Sequence, residues 1–135
     1  MKFCHRMLFM IALILTVLST VAAQSPKPDS VPKYSPAAET RFKGTVQEVI
    51  DRTCPVSGGL GSHVMLKLAD GKIIEVHLAA TKFVQSNQLL LRKGDQIEVV
   101  GNRLNFQGAD TIFAREVTRG SETFVFRDKE GNPVW

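Results

Sequence analysis

The 135-residue chain is poor in cysteine and in aromatic side chains. It contains 2 cysteines, 1 tryptophan and 1 tyrosine, and 7% of its residues are aromatic. Cys4 lies in an N-terminal segment that we expect to be removed, so Cys54 is left alone and no internal disulfide is expected. The chain also lacks a Cys-x-x-Cys-His motif for haem attachment and a pair of carboxylates at a plausible acid–base site. These absences argue against an enzyme of the carboxylate-pair type and against a c-type haem protein, and no cofactor is predicted.

Long apolar runs are absent except for one at the N-terminus. Lys2 and Arg6 precede an almost unbroken apolar run from Met7 to Leu18. Val21-Ala22-Ala23 then places small residues where a signal peptidase reads, which completes the order typical of a secretory signal peptide. The run is short for a transmembrane helix, and no second run follows. We therefore predict a signal peptide over residues 1–23 and an exported protein, periplasmic or secreted, with no stable membrane anchor after cleavage.

A strong excess of positive charge is absent from the predicted mature chain. Removal of Lys2 and Arg6 with the signal peptide lowers the Lys+Arg total from 17 to 15, against 13 acidic residues. Such a small excess attracts nucleic acid only weakly. Residues 24–40 contain four prolines and little apolar surface, which predicts a flexible Pro-rich tether. The folded domain is expected to span residues 41–135.

Alternating apolar residues predict a first strand and a hairpin. The first strand covers Arg41–Ile50, with a bend or bulge at Gly44. The hairpin covers Ser62–Ala79 and turns at Asp70-Gly71. Its inward side chains are expected to be those of Val64, Leu66, Leu68, Ile74, Val76 and Leu78.

The length of the hairpin loop decides which residues face each other. A two-residue loop places Leu66 opposite Glu75. A three-residue loop, with Gly71 in the left-handed conformation, is predicted to place Leu66 opposite Val76 and Lys67 opposite Glu75. We prefer the second register because it pairs apolar with apolar residues and joins opposite charges.

The remaining elements follow the hairpin in a simple order. Ala80–Gln88 lacks strand alternation and predicts a short helix capped at Thr81. A strand containing Ile97 and Val99 follows and bends at Gly101, and Ala109–Arg119 forms the next strand. The last residues predict a terminal hairpin that turns at Gly131-Asn132.

This order of elements resembles the OB-fold, a five-stranded Greek-key barrel with a helix between its third and fourth strands. The resemblance covers residues 41–119. The segments IEVHLA, KGDQIEVVG, AREV and FRDKEGNPVW are also similar to segments of small exported bacterial OB-fold proteins. The resemblance implies an all-β protein with a five-stranded OB-fold-like barrel, one short helix and a C-terminal hairpin. It implies no catalytic residue.

The segment from Asp51 to Gly61 is predicted to be a long loop between the first two strands. Its GGLG run lacks the lysine and spacing of a phosphate-binding loop. Cys54 could be a nucleophile, a metal ligand or a site of pairing between chains. A nucleophile needs a base and a group that orients the base, and no third group is evident beyond Cys54 and His63. The sequence therefore does not predict an enzyme.

The outer face of the hairpin is the candidate ligand face, because OB-folds commonly bind ligands there. It is expected to carry five solvated side chains, those of His63, Met65, Lys67, Glu75 and His77. His77 is expected opposite Met65, with His63 as its diagonal neighbour. This face has no aromatic side chain for nucleobases to stack on, which argues against nucleic acid as the ligand.

Two functions remain open beside nucleic-acid binding, which is supported by analogy of fold alone. The first is a non-enzymatic binding or interaction module that holds a protein or glycan partner on the hairpin face. The second is a site for copper or zinc formed by His63 and His77, with Cys54 from the loop.

Overall fold

The computed structural model describes residues 30–135, so the predicted signal peptide lies outside the described residues. A 3-10 helix, Pro36–Ala38, precedes the first strand. The strands and the helix are β1 (Thr40–Cys54), β2 (Gly59–Leu68), β3 (Ile73–Ala80), α1 (Thr81–Ser86), β4 (Gln96–Phe106), β5 (Ala109–Arg119) and β6 (Glu122–Val125). No helix within residues 30–135 has the length and apolar character needed to cross a membrane.

The strands form one sheet that closes into a barrel. Their order is β3-β2-β1-β4-β5-β6, and an additional pairing joins β3 to β5. That pairing is parallel and involves Glu75–His77 and Thr111–Phe113, whereas the other pairs are antiparallel. Because this pairing joins the two ends of the β3-β2-β1-β4-β5 order, the first five strands form a ring. The predicted all-β, OB-fold-like barrel with one short helix between β3 and β4 is confirmed.

The connection between β1 and β2 is much shorter than predicted. β1 continues to Cys54, which pairs with Gly59, so the long loop predicted from Asp51 to Gly61 is wrong. Only residues 55–58 form a turn, and Gly58 has the positive φ of 71° that such a turn requires. Glycine and serine are common in loops, but here continued backbone pairing extends both strands.

The irregularities of β1 and β4 lie close to glycines. The register of β1 shifts between Val46 and Glu48, slightly beyond Gly44. A Cβ on Gly44 would lie 2.5 Å from the carbonyl oxygen of Lys67, so close strand packing explains this glycine. The predicted bend at Gly101 is present as a register shift after Val100.

The barrel interior contains the apolar side chains that alternate along the strands. The inward set predicted for the hairpin is confirmed for Val64, Leu66, Ile74, Val76 and Leu78, which are at most 3% exposed. The fully buried side chains that join them from other strands are those of Val46, Val99, Ile112, Ala114 and Val117. This core fixes which side of β2 and β3 faces outward.

A second apolar cluster lies outside the barrel wall. It consists of Tyr34, Phe106 and Phe113, with Val56 and Leu104 packed against it. Tyr34 belongs to the predicted tether, yet its side chain is only 6% exposed. Two hydrogen bonds join the backbone of Ser35 to the Asn102 side chain, at 2.7 and 2.8 Å. From Tyr34 onward the chain therefore packs against the barrel, because its aromatic ring finds apolar surface there.

The C-terminal hairpin is short. After β6 pairs with β5, the Asp128 side chain accepts hydrogen bonds from the backbone of Glu130 and Asn132. One isolated bridge joins Arg127 to Pro133. The Arg127 guanidinium lies 5.0 Å from the ring centre of Tyr34 and 5.1 Å from that of Trp135.

Candidate metal centre

The two histidines face each other directly across the β2–β3 hairpin. His63 pairs with His77, Met65 with Glu75, and Leu66 with Ile74. The three-residue loop and the positive φ of Gly71 are present. The predicted pairing of Leu66 with Val76 and of Lys67 with Glu75 is nevertheless wrong by two residues, because the ladder closes with Leu68 bonded to Lys72. A shift of two residues preserves alternation, so the inward set is unchanged.

Both imidazoles are buried, contrary to the solvated outer face predicted for them. His63 and His77 are 1% and 6% exposed. They point away from the barrel interior, but aromatic side chains of β4 and β5 cover them. Phe113 lies opposite His77 in the parallel β3–β5 pair, with 5.3 Å between ring centres, and Phe106 lies 5.7 Å from His77. Of the other predicted face residues, Met65 and Glu75 are half-buried and Lys67 is exposed.

Cys54 joins the two histidines because β1 extends past them. Its Sγ lies 3.3 Å from Nδ1 of His77. One ligand atom from each of Cys54, His63 and His77 lies within 4.8 Å of the others. Cys54 is a free, buried thiol. The three residues named from ligand chemistry alone are therefore brought together, on three neighbouring strands.

A carboxylate and a guanidinium orient the first histidine. Nδ1 of His63 lies 2.6 Å from Oε1 of Glu75, and Arg52 donates to the same oxygen. An ionised carboxylate only accepts hydrogen bonds, so Nδ1 carries the proton and Nε2 of His63 is left with its lone pair. Carboxylates commonly orient metal-binding histidines in this way. Arg52 was not identified from the sequence. Arg52 lies two residues before Cys54, so alternation along β1 places the two side chains on the same face. This inference requires that β1 extends to Cys54.

The protonation states suit metal binding. Burial, together with the neighbouring His63, lowers the pKa of His77 to about 4. Burial also lowers the pKa of His63, and this outweighs the opposite effect of Glu75. Burial raises the pKa of Glu75, but hydrogen bonds from Arg52 and His63 outweigh it and the net pKa is lowered. At neutral pH both imidazoles are therefore neutral and the carboxyl is ionised.

A very small cavity lies between the three candidate ligands. Its volume is about 10 Å³, close to that of one water-sized sphere. Besides the ligands, its walls include Val56, Ser57, Gly61 and Trp135. A separate open groove of about 730 Å³ lies elsewhere, with Lys43, Lys67 and Glu98 among its lining residues. The small cavity suits a single atom and is too small for an organic ligand.

Fold and site together define a small, closed β-barrel protein with a buried cluster of one thiol and two imidazoles. The model of the MamS/MamX magnetosome protein family matches residues 38–124, which is more than half of the chain. The chain belongs to the MamS/MamX magnetosome protein family. The matched residues include Cys54, His63 and His77. The predicted resemblance to small bacterial proteins is confirmed to this extent: the chain belongs to a small bacterial family. No curated protein matches the chain closely.

Proposed function

We propose that the protein is an exported, magnetosome-associated protein that binds one transition-metal ion through Cys54, His63 and His77, without catalysis. The observation that carries this proposal is the convergence of three ligand atoms within 4.8 Å in a buried site. Thiolate and imidazole are ligands for copper and zinc. The magnetosome association rests on the family, and the export rests on the predicted signal peptide.

The surroundings support a metal site rather than a nucleophile. A nucleophilic cysteine requires access for its substrate. Cys54 is only 4% exposed, and the cavity beside it has room for about one water-sized sphere. The Glu75 carboxylate is hydrogen-bonded to His63, at 2.6 Å from Nδ1. The same Oε1 lies 3.7 Å from Nε2 of His77, which is too far for the hydrogen bond by which a third catalytic residue orients the histidine next to a thiol.

A protein or glycan partner is the second candidate. The buried imidazoles are not accessible to a macromolecule, so the hairpin face predicted for such a partner is reduced to Met65, Lys67 and part of Glu75. The groove of about 730 Å³ offers a better place, with charged side chains at its rim. Nucleic acid is disfavoured, because the large apolar side chains exposed within residues 30–135 are all aliphatic.

The metal function is tested by calorimetry on metal-free protein kept reduced. We expect about one equivalent of metal to bind, and we expect Cys54→Ser, His63→Ala and His77→Ala each to weaken binding sharply. Lys67→Ala is the matched control, because Lys67 lies on β2 beside the site but is exposed. Metal binding of wild-type strength by the triple variant refutes this site. A circular dichroism spectrum of each variant shows whether the barrel persists.

The second candidate is separated by the same variants. A partner held in the groove requires Lys43→Ala or Lys67→Ala to weaken partner binding while metal binding stays as in the wild type. Loss of metal binding in the Cys54, His63 and His77 variants, with no effect of Lys43→Ala or Lys67→Ala, supports the metal centre.

A further inference from the structure

We infer that the Cys54–His63–His77 centre is selective for monovalent copper over zinc. This inference rests on the proposed metal function and specifies which ion the site holds. Three features of the described residues support it: the number of ligands, the charge of the site and its enclosure.

The first feature is the number of ligands. Three donor atoms of the soft or intermediate type converge. The other cavity walls supply apolar side chains and neutral serine hydroxyls, and the volume of about 10 Å³ leaves no room for a bound water beside an ion. Zinc sites in proteins are almost always four-coordinate. Monovalent copper favours thiolate and imidazole ligands and is stable with three of them.

The hydroxyl of Ser57 is not available as a fourth ligand of useful strength. Its oxygen lies 3.1 Å from each of the carbonyl oxygens of Cys54 and Gly59, and its single proton is shared between them. Its position is nonetheless close to the site. A Cβ on Gly61 would lie 2.4 Å from Oγ of Ser57 and 3.4 Å from Nε2 of His63. Ser57 is therefore the place where a stronger fourth ligand could be introduced.

The second feature is the charge balance. When the metal binds, the thiol proton of Cys54 leaves to solvent and the thiolate contributes one negative charge. The imidazoles are neutral, and the charge of Glu75 is compensated by Arg52. A monovalent ion therefore gives a buried centre with no net charge. A divalent ion leaves one uncompensated positive charge, and burial of an unpaired charge is unfavourable.

The third feature is the apolar cover. Phe106 and Phe113 lie against His77, and Trp135 forms part of the cavity wall. This cover excludes the water that a divalent ion would recruit to complete its coordination. It also limits access of oxidants to a bound monovalent ion.

Competition titrations under anaerobic, reducing conditions test the inference. Copper(I) and zinc(II) are titrated separately against chromophoric chelators, and X-ray absorption gives the coordination number. We expect one equivalent of copper(I) bound by two nitrogens and one sulfur, and complete displacement of zinc by one equivalent of copper(I). Zinc bound with four ligands and not displaced overturns the selectivity but leaves the metal function standing. Absence of binding by either ion refutes both.

A designed fourth ligand distinguishes the structural reason from a general preference of thiolates for copper. Ser57→Cys adds a second thiolate, so a zinc centre becomes four-coordinate and electrically neutral. We expect zinc affinity to rise by about tenfold or more, the scale of one supporting contact in a metal site, with little gain for copper(I). Val56→Ser, at the neighbouring cavity position, is the control because it adds no charged ligand. Equal gains for both ions in Ser57→Cys contradict the coordination and charge argument.

Discussion

The buried, neutral state of His77 predicts that the metal-free protein loses stability in mild acid. The pKa of His77 is lowered to about 4 in the folded protein, whereas an unfolded histidine titrates near 6.5. Between these values the unfolded chain binds a proton that the folded chain does not, so stability falls as pH falls. Above pH 6.5 the group is neutral in both states and contributes no pH dependence.

The size of the effect follows from the width of this window. Each pH unit below 6.5 lowers the free energy of unfolding by about 1.4 kcal/mol, so His77 alone lowers it by about 2 kcal/mol at pH 5. The lowered pKa of His63 acts in the same direction. The lowered pKa of Glu75 contributes only as pH falls toward and below the unfolded value of about 4.3. The range from pH 5 to 6.5 therefore reports on the histidines.

The matched variant is His77→Phe, because His77 already packs against Phe106 and Phe113. Urea denaturation of metal-free protein is measured at pH 7 and at pH 5. We expect the wild type to lose about 2 kcal/mol more than the variant between the two pH values. Parallel losses in the two proteins refute the buried neutral state of His77. Comparison with His63→Phe separates the two imidazoles.

Four further predictions concern other parts of the chain. Glu75→Gln should weaken metal binding about 10- to 100-fold, measured by chelator competition, while unfolding shows that the barrel persists; unchanged affinity removes the orienting role of the carboxylate. Metal affinity should fall steadily as the pH is lowered, because binding releases the Cys54 proton, and the histidines should steepen this fall only toward pH 4, because burial lowers the pKa of His77; a steepening that begins near pH 6.5 contradicts this. Gly101→Ala should destabilise the barrel by about 1–3 kcal/mol in urea denaturation, because the new Cβ would lie 2.2 Å from the carbonyl oxygen of Phe113, and a neutral effect contradicts the close packing. Intact mass of the protein from its native host should correspond to a chain that begins at Gln24, and a mass that retains residues 1–23 contradicts the predicted signal cleavage.

Alternation along the strands made the barrel core predictable. A period of two residues assigns side chains to faces without knowledge of the partner strand, which is why Val64, Leu66 and Val76 were placed correctly. The register of the hairpin was less secure. A shift of two residues keeps every side chain on the same face, so the pattern alone could not distinguish Leu66 opposite Val76 from Leu66 opposite Ile74.

The limits of the first strand were not predictable from local pattern. Residues 51–61 contain glycine and serine and little alternation, so they indicated a loop. Pairing of Cys54 with Gly59 depends on the whole β1–β2 ladder, because each strand supplies the hydrogen-bond partners of the other. The position of Cys54 beside His77 follows from this extension.

The sequence by itself determined the chemistry available at the site, since thiol and imidazole are the side chains that bind copper and zinc, and it determined the order of strands and helix. Only the tertiary structure decided that the two imidazoles are buried. Their cover comes from Phe113, which the parallel β3–β5 pairing places opposite His77, and from Phe106 at the end of β4. These contacts join residues far apart along the chain, whereas alternation reports only the side of a strand. Alternation alone predicted a solvated pair of histidines, whereas closure of the barrel encloses them and keeps them neutral.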